Sequence, residues 1–400
     1  MSKIAIFCHG VPNLDSNQPN ADTLMHAKKL SSSGHEVKII SIYNEIYQSD
    51  ETQEYYKKFN ENESNIEIII IHPLLNSFFK KISNRAFLKL YPNLIDKELI
   101  KQRDKILNEF KPDLVINFFE RAIELNRSIK TKKINFLSIP LDLIEILRFK
   151  LNLKMLLTFS FLNSLIFIIS YKLRFKYLVN DAKINFISCP QSYDVFKKRK
   201  INNLRFFFPL NRIKPKNFAK NKQLLMIGNL KSTFVIDALK HLNDDLVFEI
   251  EKLKEEFNLS IIIVGKFENE KYKYKNLLNK DWIKFKGWVD DVNHYFKDSL
   301  ALFVPSKYKL SVRTKILDAF SSGLPVITYK ANNFDKELFQ NNENIICADN
   351  SDELILGLRN ILVNKDFRSH ISKNSFRTYN KKIYVEKTID QNINLIENNL

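Results

Sequence analysis

The sequence predicts an α/β protein with two doubly wound domains in tandem, each built on a parallel sheet. Short apolar runs alternate with helical segments from residue 3 to about 190, and the alternation stops at the polar, proline-containing stretch 211–223. It restarts at residue 224. Runs that are apolar throughout are typical of strands covered on both faces. The 400 residues suffice for two domains of ordinary size.

The first domain opens with the apolar run 3–9, which we interpret as a strand. A helix follows with Leu24, Ala27 and Leu30 on one face, and Gly34 ends it before a second strand. Parallel strands need such a crossover, so these segments form a βαβ unit. Further elements predicted in this half are strands within 66–73, 112–119, 134–140 and 184–190 and a helix near 96–110.

The second half repeats the pattern of apolar strands and helices. It is predicted to hold strands at 224–228, 260–265, 282–289, 301–306 and 325–329, a long helix near 233–257 and a short one at 315–322. In such sheets ligands bind in the crevice outside the carboxyl ends of the strands. That edge is therefore where we look for functional residues.

The short helix has clear end signals. Thr314 can serve as its N-cap, Gly323 as the residue after its end, and Pro325 stops it. The chain must turn sharply at Gly323, which favours a positive φ.

The charges on this helix indicate a ligand. Arg313 and Lys315 stand at its N-terminus, where free N–H groups and the helix dipole already favour anions. Two added cations suit a diphosphate. Asp318 lies one turn further, on the face that could meet hydroxyl groups.

Net charge narrows the choice of partner. The formal charge is +18 and the pI is about 9.5, which favours anionic partners such as nucleic acid, acidic lipid headgroups or nucleotide phosphates. The excess is concentrated at 127–214, with 18 Lys and Arg against 4 Asp and Glu. No module interleaves these cations with aromatic residues as a nucleic-acid-binding face would, so we expect no nucleic-acid partner.

An uncharged run lies inside the basic region. Residues 155–170 carry no charge over 16 positions, fewer than the ~20 that a spanning helix needs. A buried core helix and a membrane-docking interfacial helix both fit. Lys154, Lys172, Arg174 and Lys176 flank the run, so we expect peripheral contact with an anionic membrane through 150–178 as one alternative.

Cysteine usage fits a reducing compartment. Cys8, Cys189 and Cys347 are odd in number and far apart, which speaks against a disulfide framework or a zinc site. The N-terminal run reads as a strand and not as a signal peptide. We therefore expect a cytoplasmic protein, and metal-independent chemistry, since no His/Cys/Asp cluster has ligand spacing.

The segment "TKILDAFSSGLPVIT" (314–328) resembles the donor-site signature of the family-4, or group 1, glycosyltransferases of the GT-B fold. The surrounding stretches "LLMIGNL", "SIIIVGKF" and "WIKFKGWV" match the family in order. The resemblance implies two Rossmann-like domains with a deep interdomain cleft: 1–212 on the acceptor side, 213–383 binding the nucleotide sugar, and 384–400 as a helix crossing back to the first domain.

The resemblance also implies a donor site. It would comprise Gly228, Lys231, Gly265, Lys266, Val289, Ser311, Arg313, Lys315 and Asp318. Two positions depart from the family, which usually carries Glu at both: here they are Ser311 and Asp318. Aspartate keeps the carboxylate for a nucleotide ribose, whereas Ser311 loses the sugar-facing acid.

The sequence offers several candidates for the catalytic group of the first domain and does not decide between them. The family's cleft histidine has no clear counterpart, and the candidates by position are Glu120 and either Asp142 or Glu145. His9 ends the first strand and would face the same cleft, although a purely structural histidine is the favoured interpretation.

The resemblance implies a retaining glycosyltransferase that moves a sugar from a nucleotide diphosphate sugar to a glycan or lipid-linked acceptor. The expected setting is bacterial surface polysaccharide synthesis, with no cofactor and no metal. Two alternatives stay open: a sugar-nucleotide epimerase on the same fold, and a non-catalytic protein that binds a membrane or partner.

Overall fold

The structure is a computed structural model of the chain. It describes residues 1–10, 12, 18–42, 50–63, 65–72, 97–137, 140–151, 159–207, 222–229, 232–265, 274–289, 291–308, 314–332, 338–383 and 385–400. The chain divides into two compact units: Met1–Leu210 with Val385–Leu400, and Asn211–Tyr384.

The first unit holds a seven-stranded sheet of parallel strands. Its strands are β1 (Lys3–His9), β2 (Glu36–Ile42), β3 (Ile66–Ile71), β4 (Leu114–Phe118), β5 (Lys132–Leu137), β6 (Ile184–Ile187) and β7 (Leu204–Phe206). Its helices are α1 (Gln18–Ser32), α2 (Asp50–Asn62), α3 (Lys97–Phe110), α4 (Phe119–Leu125), α5 (Leu141–Leu151), α6 (Phe159–Val179) and α7 (Pro190–Lys198).

The strand order is β3-β2-β1-β4-β5-β6-β7, so β1 is central and the order reverses beside it. Ile6 pairs with Ile39 of β2 on one side and with Ile116 of β4 on the other. The central strands are buried on both faces, as their unbroken apolar runs predict.

The second unit holds a six-stranded parallel sheet of order β10-β9-β8-β11-β12-β13. Its strands are β8 (Gln223–Ile227), β9 (Ser260–Val264), β10 (Ile283–Gly287), β11 (Ala301–Val304), β12 (Val326–Tyr329) and β13 (Ile346–Ala348). Its helices are α8 (Thr233–His241), α9 (Val247–Phe257), α10 (Lys275–Leu278), α11 (Asn293–Asp298), α12 (Thr314–Ser322), α13 (Ser351–Val363) and α14 (Lys365–Thr378). The central strand is β8, and the order again reverses beside the first strand of its unit.

The long helix expected near 233–257 differs in detail. A π-helical turn, Leu242–Leu246, separates α8 from α9. Within that turn the side chain of Asn243 accepts from the backbone N–H of Asn276 at 3.1 Å. Such π turns are insertions that helical periodicity alone does not reveal.

The C-terminal helix α15 (Val385–Glu397) belongs to the first unit. Its Ile389, Ile393 and Ile396 are buried in the same core as Leu24 of α1. His26 of α1 donates from Nδ1 to the carbonyl of Asp22 at 2.7 Å, and its Nε2 lies 3.1 Å from the Asn392 amide of α15. The chain thus returns to its first domain through both apolar and polar contacts.

Candidate functional site

Glycines mark the carboxyl ends of the strands in the second unit. Gly228 follows the central β8 with φ +150°, Gly265 follows β9 with φ +153°, and Gly287 ends β10 with φ +72°. The Gly228 N–H donates to Val264 at 3.0 Å, and the Gly265 N–H to Gly287 at 2.8 Å. These bonds hold the three strand ends in line along the edge where the order reverses, which is where such sheets bind ligands.

Gly228 lies against the side chain of Lys315. A Cβ placed on Gly228 would lie 2.8 Å from the Lys315 Nζ and 2.9 Å from a methyl group of Val235. The Lys315 ammonium group donates to the carbonyl of Ile227, the last residue of β8. The missing side chain at Gly228 therefore leaves the space in which a cation reaches the centre of the strand edge.

Lys315 is held there by α12. Ile316, Leu317, Ala319 and Phe320 are buried against the sheet, so the first turn has a fixed position. Because the N-terminal N–H groups and the dipole of this helix favour anions, Lys315 adds positive charge where a negative ligand is already favoured.

The end of α12 has the predicted geometry. Gly323 has φ +68°, and the N–H of Leu324 donates to Ala319 at 2.8 Å, as in a Schellman turn. The helix begins at Thr314, one residue before the expected start. Asp318 is half-buried one turn after Lys315, on the same side of the helix.

Four predicted donor-site residues fall outside the described residues. They are Lys231, Lys266, Ser311 and Arg313. Their roles stay predictions from the resemblance. Val289 is described and half-buried, and it follows Trp288, whose side chain is 71% exposed just beyond the end of β10. Sequence reasoning did not single out Trp288, although its place after Gly287 was the available signal.

A pocket of about 470 Å³ opens at the ends of β12 and β13. Its lining comprises Lys307, Tyr329, Lys330, Ala331, Ala348, Asp349, Asn350 and Ser351. The hydroxyl of Tyr329 lies 2.6 Å from His241 Nε2 and 3.1 Å from the Ser351 hydroxyl. His241 Nδ1 lies 2.5 Å from Asp245. This network joins residues distant in sequence, so no local motif predicts it.

In the first unit, His9 lies at the carboxyl end of the central β1. The Arg121 Nη1 lies 2.5 Å from its Nε2. Burial and the positive charge of Arg121 lower the pKa of His9 to about 4. His9 is therefore neutral near pH 7 and accepts from Arg121, a partner that sequence reasoning missed.

Two of the carboxylates proposed for this domain differ in setting. Glu120 is 3% exposed in the first turn of α4, directly after Phe119, which has the unusual φ of +70°. Asp142 is fully buried, and Arg199 donates to both of its oxygens at 2.9 and 2.8 Å. Such a bidentate pair gives Asp142 a structural partner. A catalytic role for either carboxylate stays a prediction.

The described residues contain neither a cluster of metal ligands nor a membrane-spanning helix. No three His, Cys, Asp or Glu side chains among the described residues converge as a metal site would require. No helix in the described parts of the chain is both long and apolar enough to cross a bilayer.

Comparison with known proteins identifies the second domain. Residues 221–364 match the family described as glycosyl transferases group 1. This match spans the strands β8 to β13 and the helix α12. A search of curated protein sequences finds no significant match.

Solved structures share the whole fold. Sucrose-phosphate synthase from Thermosynechococcus elongatus is similar with a TM-score of 0.72 and 11% identity, covering 100% of this chain and 99% of that one. Anabaena HepE, solved in complex with UDP and glucose, is similar with a TM-score of 0.68 and 12% identity, and the match covers 100% of both chains.

A third structure is WaaG, a glycosyltransferase involved in lipopolysaccharide biosynthesis. Its TM-score is 0.59 at 14% identity, covering 98% of this chain and 99% of that one. At such identities the likeness shows the fold alone. Residues 221–364 of this chain thus match the group 1 glycosyl transferase family, and the chain as a whole has the GT-B fold.

Proposed function

We propose that this chain transfers a sugar from a nucleoside diphosphate sugar to a glycan or lipid-linked acceptor. The observation that carries the proposal is the placement of Lys315: its ammonium group lies at Gly228, at the point where the strand order of the second unit reverses. A diphosphate is the ligand that suits a cation at a helix N-terminus on this edge. HepE was solved with UDP, so uridine diphosphate sugars are the first donors to test.

This reaction requires a site that stabilises the negative charge of the leaving group. The bond between the anomeric carbon and the diphosphate oxygen breaks, the oxygen of the acceptor hydroxyl forms the new glycosidic bond, and the hydroxyl proton passes to the departing diphosphate. Negative charge grows on the departing nucleoside diphosphate. We propose that Lys315 and the N-terminus of α12 meet that charge, which would be electrostatic preorganisation. We assign Arg313 the same role from the resemblance.

Asp318 is proposed to accept hydrogen bonds from the nucleotide ribose. It lies one turn beyond Lys315 on the same helix, at the position where the family signature usually carries the Glu beside the ribose. Retention of anomeric configuration and independence from metal also follow from the resemblance, with cationic side chains supplying the charge that a metal would otherwise provide.

The first domain is proposed to bind the acceptor. The likeness to WaaG, which acts in lipopolysaccharide biosynthesis, supports a role in bacterial surface polysaccharide synthesis. A lipid-linked acceptor would place the protein in the cytoplasm, peripheral to the inner face of the cell membrane.

The proposal is tested in two steps. Calorimetric titration with uridine, guanosine, adenosine and thymidine diphosphates should show binding to one of them. Turnover of the corresponding sugar nucleotides, followed by NMR of the anomeric proton, should then require an acceptor, retain configuration and persist in excess chelator. Conversion of the donor sugar without any acceptor would instead indicate an epimerase, and absence of binding to all four diphosphates would contradict the proposal.

A further inference from the structure

Helix α6 carries a row of exposed apolar side chains. Leu165, Ile169, Leu173 and Tyr177 are 39%, 43%, 57% and 80% exposed. They recur every fourth residue, so they lie along one side of the helix over about 18 Å. We call this row the α6 stripe. Large apolar side chains that stand singly on a surface are ordinary, but an ordered row of four indicates a binding face.

The opposite side of α6 is anchored in the first unit. Tyr171 and Phe175 are 0% and 2% exposed and stack with ring centroids 4.3 Å apart. The sequence offered a core helix and an interfacial helix as alternatives for this region. The helix has both characters: one side is core, and the α6 stripe is the side that the core does not use.

The charges on α6 favour one kind of partner. The helix Phe159–Val179 contains no Asp or Glu. Lys172 and Lys176 each lie three residues after a member of the α6 stripe, so they share its side of the helix. Neither forms an ion pair with another described residue, whereas Arg174 is paired with the buried Glu124 at 3.3 Å. The exposed side therefore combines apolar bulk with positive charge that no acidic side chain among the described residues pairs.

We infer that the α6 stripe docks on an anionic lipid surface, with Leu173 and its neighbours entering the headgroup boundary and the two lysines meeting lipid phosphates. A protein groove would suit the apolar row alone, but the interleaved lysines and the lack of acidic residues match a negatively charged bilayer. Tyr177, the most exposed member, has the amphipathic ring that membrane interfaces favour.

This inference deepens the proposed function by giving the enzyme a surface on which to meet a lipid-linked acceptor, and it rests on that function only for the acceptor. Docking itself needs neither donor nor turnover. Vesicle binding and nucleotide binding can therefore succeed or fail independently, which keeps the two proposals distinguishable.

The test is sedimentation of the full chain with vesicles of phosphatidylcholine containing about one-third phosphatidylglycerol, at low and high salt, with pure phosphatidylcholine vesicles in parallel. Leu173→Asp should weaken binding at least about tenfold, because it removes apolar area and adds a like charge to the lipid. Leu356→Asp is the matched control, since Leu356 is 58% exposed on α13 of the second unit against 57% for Leu173. It should bind as the wild type does.

The lysines are tested separately. Lys172→Gln with Lys176→Gln should lower binding roughly 25-fold at low salt, about fivefold for each basic residue lost near an anionic leaflet. The exposed pair Lys365→Gln with Lys373→Gln on α14 is the control. Lys176 is half-buried and the other substituted residues are exposed, and none lies in the core, so the melting temperatures of all variants should stay close to that of the wild type.

Three results would overturn the inference. One is a wild-type protein that stays in the supernatant with anionic vesicles at low salt. Another is Leu173→Asp binding as tightly as Leu356→Asp. The third is concentration-dependent self-association, lost in Leu173→Asp and unaccompanied by vesicle binding, which would make the stripe an interface between copies of the chain.

Discussion

The ammonium group of Lys315 donates to the carbonyl of Ile227 and fills the space that Gly228 leaves open. One cation thereby links the first turn of α12 to the end of the central strand β8. A diphosphate bound at this edge would lie beside the Lys315 ammonium group.

The first prediction concerns Lys315. Lys315→Ala should lower kcat by about 10²–10³, the cost of losing one group that stabilises charge in the transition state. Steady-state kinetics with the identified donor provides the measurement. Lys373→Ala, an exposed lysine on α14, is the control and should leave kcat unchanged. Full turnover in Lys315→Ala would remove the lysine from the leaving-group site.

A second prediction follows from Gly228. The new methyl group in Gly228→Ala would lie 2.8 Å from the Lys315 Nζ, in a backbone conformation that disfavours alanine. We expect the lysine to be displaced and the affinity for nucleoside diphosphate to fall at least about tenfold. Gly34→Ala is the comparison, because Gly34 also has positive φ but has nothing within 4 Å of an added Cβ. If both variants bind the diphosphate like the wild type, the close approach at Gly228 has no role in donor binding.

The third prediction separates binding from chemistry at Asp318. Asp318→Asn should raise the donor KM roughly 5- to 100-fold with a smaller change in kcat, since a hydrogen bond lost at a buried group costs about 1–3 kcal/mol. Asp318→Glu should be tolerated, because it restores the residue usual in the family. Asp366→Asn, an exposed change on α14, serves as the reference. Equal loss in the Asn and Glu variants would argue against a hydrogen-bonding carboxylate.

Substitution of Asp142 distinguishes a structural role of this carboxylate from a catalytic one. Asp142→Ala should reduce the free energy of unfolding by about 3–5 kcal/mol, because it leaves Arg199 as a partly buried charge without its partner. The double variant Asp142→Leu with Arg199→Met should be more stable than either single charge deletion. Thermal unfolding of the single and double variants measures both changes in stability. A stable Asp142→Ala variant that lacks only activity would favour a catalytic role instead.

The buried His26 predicts a pH dependence of stability. Burial lowers its pKa to about 4, against 6.5 for the unfolded chain. As the pH falls, the unfolded state therefore binds the proton before the folded state does. The contribution of neutral His26 to the free energy of unfolding is fully present above about pH 6.5, decreases as the pH falls from 6.5 to 4, and changes no further below pH 4. At pH 5 the loss amounts to about 2 kcal/mol. Urea unfolding of wild type and His26→Gln at pH 7 and 5 should show a smaller pH effect in the variant, whereas the exposed His370→Gln should behave as the wild type.

The short helix α12 could be predicted almost completely from sequence because its signals are local. A capping residue, an apolar face and a Gly-x-Pro end all lie within a dozen residues of one another. The parallel sheets followed from apolar runs separated by helices. Strand β13 was not assigned, because the short run Ile346–Ala348 gives little periodicity.

Contacts between distant residues could not be predicted in this way. Lys315 and Ile227 are 88 positions apart, and Arg121 and His9 are 112 apart. Sequence reasoning placed His9 at the end of a strand and Lys315 at the start of a helix but could not show which residues they touch. The α6 stripe was hidden for a different reason: the run 155–170 is uniformly uncharged, so only the fold reveals which side of the helix is core and which is exposed.

Hydrogen–deuterium exchange of the full chain, with and without a saturating nucleoside diphosphate, tests the central claim most directly. Bound diphosphate should slow exchange at residues 224–229 and in the first turn of α12, and Lys315→Ala should lose that protection at the same diphosphate concentration. Protection confined to other parts of the second unit, with binding shown by calorimetry, would contradict the assignment of this strand edge as the donor site.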